Sequence, residues 1–297
     1  MATVFYWADA MFKPVRHLIE VFGPAFANRS APQRIGLFLV ALLLFWLPIY
    51  GLARWQLADS NTISIVTTAA LLLEFLALLR IWSRALYRSR LRDRYGLRWQ
   101  QSNRREFAFG VAVAVFCLGL LYGLQILLGW TIWRGESWGR LGSIAGAGAL
   151  VAMGVALGEE LVFRGWLLGE LEEDYSRATA LWGSSLAFAA LHFVKPLSEM
   201  VRTAPQFPGL VLLGLALVWA RWRCQGRLGM AVGLHAGLIW SYYLLDVGDL
   251  VTSRNAVPEW LTGIDGNPLA GGLGLLFLSG LGLWVRNRRL PIPRGEG

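Results

Sequence analysis

Eight apolar runs, each about as long as a bilayer is thick, constrain this chain more than any other feature. They fall at 35–53, 62–79, 107–129, 141–168, 178–195, 207–221, 228–246 and 269–285. A helix of about 20 apolar residues crosses the hydrocarbon core, so the sequence predicts an all-α, polytopic membrane protein of about eight transmembrane helices. The sixth run is short and reads as tilted or partly interfacial. Charged residues make up only 16% of the chain, against about 25% in a soluble domain.

Residues 1–34 mix aromatic, apolar and basic side chains (Phe5, Tyr6, Trp7, Phe12, Lys13, Arg16, His17) and are interrupted by Pro24 and Pro32. That mixture predicts an N-terminal interfacial helix lying on the membrane, with His17 at headgroup level rather than acting as a ligand. Asp9, Lys13 and Arg16 break the stretch before any hydrophobic core of signal-peptide length. The chain then divides into two transmembrane helices with a basic loop (35–106), a core of further spans (107–285) and a tail (286–297). Cys117 and Cys224 both lie in or beside apolar runs, which implies neither a disulfide framework nor a cysteine zinc site.

The net charge of +9 suits nucleic acid in a soluble protein, but its distribution argues for a membrane partner instead. With eight spans, one side of the bilayer receives 21 of the 28 Lys and Arg residues and the other side six, Arg164 lying inside a span. The excess marks the first side as cytoplasmic and puts both termini there. The expected location is a prokaryotic-type cytoplasmic membrane. The loop 80–106 holds nine arginines, and Arg80, Arg84, Arg88 and Arg92 recur every four residues. One helical face carrying them would make an anionic-lipid contact; a substrate-docking patch is the other reading. Glu74, inside the second run, reads either as a substrate-path residue or as paired with a neighbouring helix or the headgroups.

Ionisable groups within the apolar runs are the candidates for chemistry, because charge at that depth costs several kcal/mol unless paired or wet. The fourth run contains Gly158-Glu159-Glu160-Leu161-Val162-Phe163-Arg164-Gly165. Glu160 and Arg164 are four apart, acid first, so they share a helix face and neutralise each other. Glu159 is rotated by about 100° and has no partner in its own helix. His192 lies in the fifth run and His235 in the seventh. At about 1.5 Å per residue, Glu159, His235 and His192 fall roughly 15, 10 and 20 Å from the cytoplasmic ends of their spans, so all three can meet near one level. Interhelical packing accounts for either histidine alone; together with a carboxylate pair they form a base, a bound water and an oxyanion donor. No Ser-His-Asp set or phosphate-binding loop competes. Gly142/Gly146, Gly154/Gly158 and Gly233/Gly237 have the spacing that lets helices approach closely.

Glu159-Glu160-xxx-Arg164, Phe188-xxx-His192 and a later His235 resemble the CPBP family, the CAAX-protease and bacteriocin-processing group that also includes abortive-infection proteins. The resemblance covers roughly residues 140–246. It implies an intramembrane glutamic endopeptidase in which Glu159 and His192 activate a water, His235 helps stabilise the oxyanion, and Glu160 and Arg164 order the site. The substrate implied is a membrane-associated peptide, such as a prenylated C-terminus or a leader. The resemblance favours a mechanism without a cofactor; were zinc present, Glu159, His192 and His235 would be its ligands. The family's final His-xxx-Asn is broken, because Ile239 stands where Asn is expected. Tyr242, on the same face as His235, is a substitute donor; otherwise the chain is slow or non-proteolytic. A membrane scaffold or chaperone, and a proton-coupled transporter, are the alternative readings.

Overall fold

The computed structural model describes residues 26–98, 100–135 and 138–287. Most of the expected interfacial helix over 1–34, His17 included, and the tail beyond 287 lie outside the described residues. The chain forms two units, the first made of the residues up to Arg94 plus Glu172–Asp174.

In the first unit, α1 (Ala31–Gln56) and α2 (Ser60–Ala85) form a hairpin. Asp59 caps α2, accepting from the Thr62 amide at 2.7 Å and hydroxyl at 2.6 Å. Those bonds, the hydroxyl first, hold its carboxyl below the usual range. Phe38 packs edge-on against Phe75 and Trp82, at 5.7 and 5.4 Å. Much of the rest of α1, including Leu43, Leu44 and Leu47, is exposed and apolar, as lipid requires. Glu74 is buried, and neither of its oxygens finds a hydrogen bond among the described residues. The four-residue arginine repeat does not make one helical face. α2 ends at Ala85, Arg88 takes a left-handed φ of 48°, and Arg92 belongs to the separate short helix α3 (Leu91–Arg94). The turn between α2 and α3 breaks the register that the spacing assumed.

The second unit contains α4 (Gln101–Leu127), α5 (Trp138–Glu160), a π-helical stretch Leu161–Leu167, α6 (Leu168–Asp174, its last three residues in the first unit), α7 (Arg177–Leu191), α8 (Leu197–Thr203), α9 (Phe207–Arg223), α10 (Gly229–Asp246), α11 (Glu259–Thr262) and α12 (Gly272–Asn287). A two-stranded antiparallel ribbon, β1 (Thr131–Trp133) with β2 (Val251–Ser253), pairs Ile132 with Thr252 and is the departure from an all-α fold.

Among the described residues, five helices are long and apolar enough to cross a membrane: Ala31–Gln56, Ser60–Ala85, Gln101–Leu127, Gly139–Asp174 and Leu197–Arg223. The sixth apolar run is thus part of a longer helix than the sequence suggested. The fifth and eighth runs form α7 and α12, of 15 and 16 residues, each about 22–24 Å long against a core of about 30 Å. The seventh forms α10, whose 18 residues include His235, Ser241 and Asp246. α10 packs against both α4 and α5 and is buried without a break from Gly229 to Gly237. A helix sheathed in protein does not need an apolar outer face.

Small residues and one asparagine fix that sheath. Asn103 donates to the Gly96 and Arg98 carbonyls at 3.0 and 2.8 Å and accepts from the Gly229 amide at 2.7 Å. Of the three glycine pairs, only Gly233/Gly237 marks a close approach. A Cβ on Gly233 would lie 2.1 Å from the Phe107 carbonyl oxygen, whereas Gly142, Gly146, Gly154 and Gly158 face open space. Gly233→Ala is therefore expected to lower the thermal unfolding temperature in detergent, at an overpacking cost of about 1–3 kcal/mol. Gly154→Ala should leave it unchanged, and equal behaviour of the two would refute this account of the crossing.

Candidate active site

Four elements bring five ionisable side chains together. The last turn of α5 carries Glu159 and Glu160, and the π-helical stretch that follows carries Arg164. Such wide turns recur at functional sites. The turn is braced from outside, where the buried Ser184 hydroxyl of α7 donates to the Phe163 carbonyl at 3.0 Å. α10 supplies His235. His192 is not inside a helix, as the sequence suggested, but caps the C-terminus of α7, which ends at Leu191. The apolar residues Phe193 and Val194 prolonged the run in sequence, but they lie in the turn leading to Pro196 and α8.

The two carboxylates have different surroundings. Glu160 and Arg164 are fully buried. Arg164 Nη1 donates to Glu160 Oε1 at 2.9 Å, Nη2 donates to the Gly214 carbonyl at 3.3 Å, and the guanidinium lies 4.2 Å over the Phe188 ring. Glu160 Oε1 also receives His235 Nδ1 at 2.9 Å. Arg164, Glu160 and His235 thus form one chain of charge-assisted bonds. It turns His235 Nε2 toward Glu159 Oε2, 3.9 Å away.

Glu159 is about one-third exposed, and its Oε2 has no hydrogen-bond partner among the described residues. His192 Nε2 lies 3.8 Å from the same oxygen. The His192 ring is held by Nδ1–H donating to the Phe188 carbonyl at 2.7 Å; a carbonyl only accepts, so in the neutral ring Nε2 carries the lone pair. Phe188 sits among these groups, its ring centroid 4.6 Å from His192 and 5.9 Å from His235.

Glu159, His192 and His235 open into a cavity of about 320 Å³ with apolar walls, including Leu121, Leu210, Leu213 and Phe277. Ile239 also lines it, so the departure noted in the sequence lies within the site itself. Besides the two histidines and the weakly donating Cys117 thiol, three side chains able to donate a hydrogen bond line the cavity: Tyr242, Gln206 and Asn267. Gln206 and Asn267 were not singled out in the sequence. Both lie in short irregular turns, where helical periodicity gives no signal. Asn267 Oδ1 accepts from the Leu269 amide at 2.9 Å, which fixes the side-chain amide and leaves its NH₂ as the remaining donor.

No curated protein and no solved structure matches the chain. Residues 141–241, which contain all five of these side chains, match the family model described as Type II CAAX prenyl endopeptidase Rce1-like. Over that third of its length the chain carries an Rce1-like domain, in agreement with the resemblance to the CPBP family.

Proposed function

We propose that this protein is an intramembrane endopeptidase of glutamic type that hydrolyses a peptide bond in a membrane-associated substrate, prenylated or leader-like. The observation that carries this reading is Glu159 Oε2 poised between two imidazole nitrogens at 3.8 and 3.9 Å. Those separations are too long for direct hydrogen bonds. One water oxygen can lie about 2.8 Å from Oε2 and from either nitrogen. In the proposed step Glu159 takes a proton from that water as its oxygen bonds to the scissile carbonyl carbon, and His192 Nε2 orients it. The carbonyl oxygen becomes an oxyanion. Glu159 then returns the proton to the leaving nitrogen as the C–N bond breaks, giving a carboxylic acid and an amine; the acid's proton then passes to the amine, leaving a carboxylate and an ammonium group. His235, its Nδ1–H committed to Glu160, donates from Nε2 when the ring carries both protons, and the Glu160 carboxylate is the counter-ion for that state.

Of Tyr242, Gln206 and Asn267, the last has its side-chain amide fixed, by the bond its Oδ1 accepts from the Leu269 amide, and it is the donor assigned here to supply what Ile239 lacks. Asn267→Asp keeps the acceptor that caps the Leu269 amide but removes the NH₂, and is expected to lower kcat by about 10²–10³-fold with little change in KM. Tyr242→Phe and Gln206→Leu should each cost much less. A large loss in Tyr242→Phe alone would transfer the role to Tyr242.

One carboxylate and two imidazoles are chemically able to ligate zinc, and each imidazole has its Nδ1 held by an acceptor, as metal-binding histidines usually do; among the described residues, however, no three such side chains are placed closely enough to hold a metal ion. The proposal places no metal in the step, following the family resemblance. The test is cleavage of a membrane-anchored peptide by the reconstituted protein before and after dialysis against a strong chelator. Retained activity without bound metal is expected; stoichiometric zinc whose removal abolishes cleavage would overturn the glutamic assignment. Ile239 favours one second reading, a scaffold without turnover. It predicts that membranes carrying the intact protein or Glu159→Gln yield the same set of protein termini.

A further inference from the structure

A second concavity in the same unit has a different chemistry. It is a groove of about 680 Å³ between the N-terminal part of α7, the C-terminal half of α9 and the end of α12. It shares no lining residue with the catalytic cavity. Three guanidinium groups converge on it: Arg177 at the start of α7, Arg223 at the end of α9 and Arg286 at the end of α12. No carboxylate lines the groove, and none of the three arginines forms an ion pair among the described residues.

Indole rings hold these cations in place. The Arg177 guanidinium lies 5.2 Å from the Trp222 ring and that of Arg286 lies 5.6 Å from the Trp219 ring. Trp219 is itself seated by a glycine, since a Cβ on Gly282 would come within 3.2 Å of its ring. Arg223 donates Nε to the Val285 carbonyl at 3.1 Å, which ties α9 to α12 and leaves both terminal nitrogens to donate elsewhere. Arg223 and Arg286 complement the negative ends of their helices, but Arg177 sits at a positive helix end. Three like charges lining one groove without a carboxylate favour an anion between them.

We propose that this groove binds the phosphate of an anionic phospholipid drawn from the surrounding bilayer. Guanidinium forks match the oxygens of a phosphodiester, and tryptophan is the residue of the membrane–water interface. The apolar part of the groove selects a lipid over a free anion. Away from the arginines its walls are Leu181, Leu215 and the half-exposed Trp182. On the same helices the exposed Leu186 and Leu283 continue the apolar surface beyond it. A dissolved phosphate needs none of that surface; an acyl chain does. The site is separate from the proposed peptidase centre, and its occupancy is read without reference to cleavage.

The test is native mass spectrometry of the full chain released from nanodiscs of phosphatidylcholine containing phosphatidylglycerol. The intact protein is expected to retain one phosphatidylglycerol at least tenfold in preference to phosphatidylcholine. Arg177→Gln/Arg286→Gln should lose that preference. Arg177→Lys, which keeps the charge but not the fork, should weaken it about two- to fivefold, and Arg254→Gln, after β2, should not affect it. Circular dichroism on the same samples identifies any variant that fails to fold, and Arg177→Lys then carries the test. Unchanged preference in folded variants, or no preference in the intact protein, overturns the proposal. So does full displacement of the lipid by millimolar inorganic phosphate, which would assign the groove to a soluble anion.

Discussion

Glu159→Gln is expected to reduce peptide cleavage by about 10²–10⁴-fold, the usual contribution of a positioned general base, without altering the amount or thermal stability of the protein. Both halves of that expectation come from the same geometry. Glu159 Oε2 makes no hydrogen bond within the described residues, and the side chain is about one-third exposed to the cavity. An amide of equal size breaks no bond there. What it removes is the ability to take a proton from water and pass it to the leaving nitrogen. Initial rates on a reconstituted anchored peptide, with terminal-peptide mapping of membranes, measure the loss, and unfolding curves measure stability. A rate within tenfold of the intact protein would mean that Glu159 is not the base. A fall in stability would mean that it serves the fold.

Arg164→Met is expected to do the reverse and damage the fold first. It strands Glu160 in a site with no exposure to solvent and leaves the Gly214 carbonyl without its donor. Breaking a buried pair by removing one partner costs about 3–5 kcal/mol, a large share of the 5–15 kcal/mol that holds a typical protein folded. The double variant Glu160→Gln/Arg164→Met removes the stranded charge, and a neutral pair of similar volume is often tolerated. Thermal unfolding in detergent should therefore place the double variant above Arg164→Met. Its cleavage rate should stay low, because His235 loses the negative partner at its Nδ1. If Arg164→Met unfolds at the temperature of the intact protein, the pair does not support the structure.

The parts of this site that follow helical arithmetic were legible in the sequence. The four-residue step from Glu160 to Arg164 gave the buried pair, and the rotation of Glu159 away from it gave the free carboxylate. The meeting of Glu159 with His192 and His235 was expected from depth along the spans, whereas the bond between His235 and Glu160 was not. Where winding departs from a regular α-helix, that arithmetic had nothing to read. The wide turn after Glu160, the end of α7 before His192 and the break at Arg88 are set by tertiary contacts and turns, not by periodicity. Asn267 escaped notice because its neighbourhood has no repeating pattern. Glycine spacing was an incomplete guide as well: three pairs matched the pattern, and only the pair facing α4 lies against another backbone. Spacing says where a helix could be approached, not whether a neighbour arrives.

The π-helical stretch from Leu161 to Leu167 stores about one residue more than an α-helix turning through the same angle would hold. Losing one residue after Arg164 would let the backbone relax to ordinary winding with the segments on either side still nearly in phase. Adding one would swing everything upstream by about 100° against everything downstream, carrying the two acids off their histidines while every chemical group stayed in the chain. A single-codon deletion between Gly165 and Leu167 is therefore absorbed by this turn, whereas a single-codon insertion there misaligns the site.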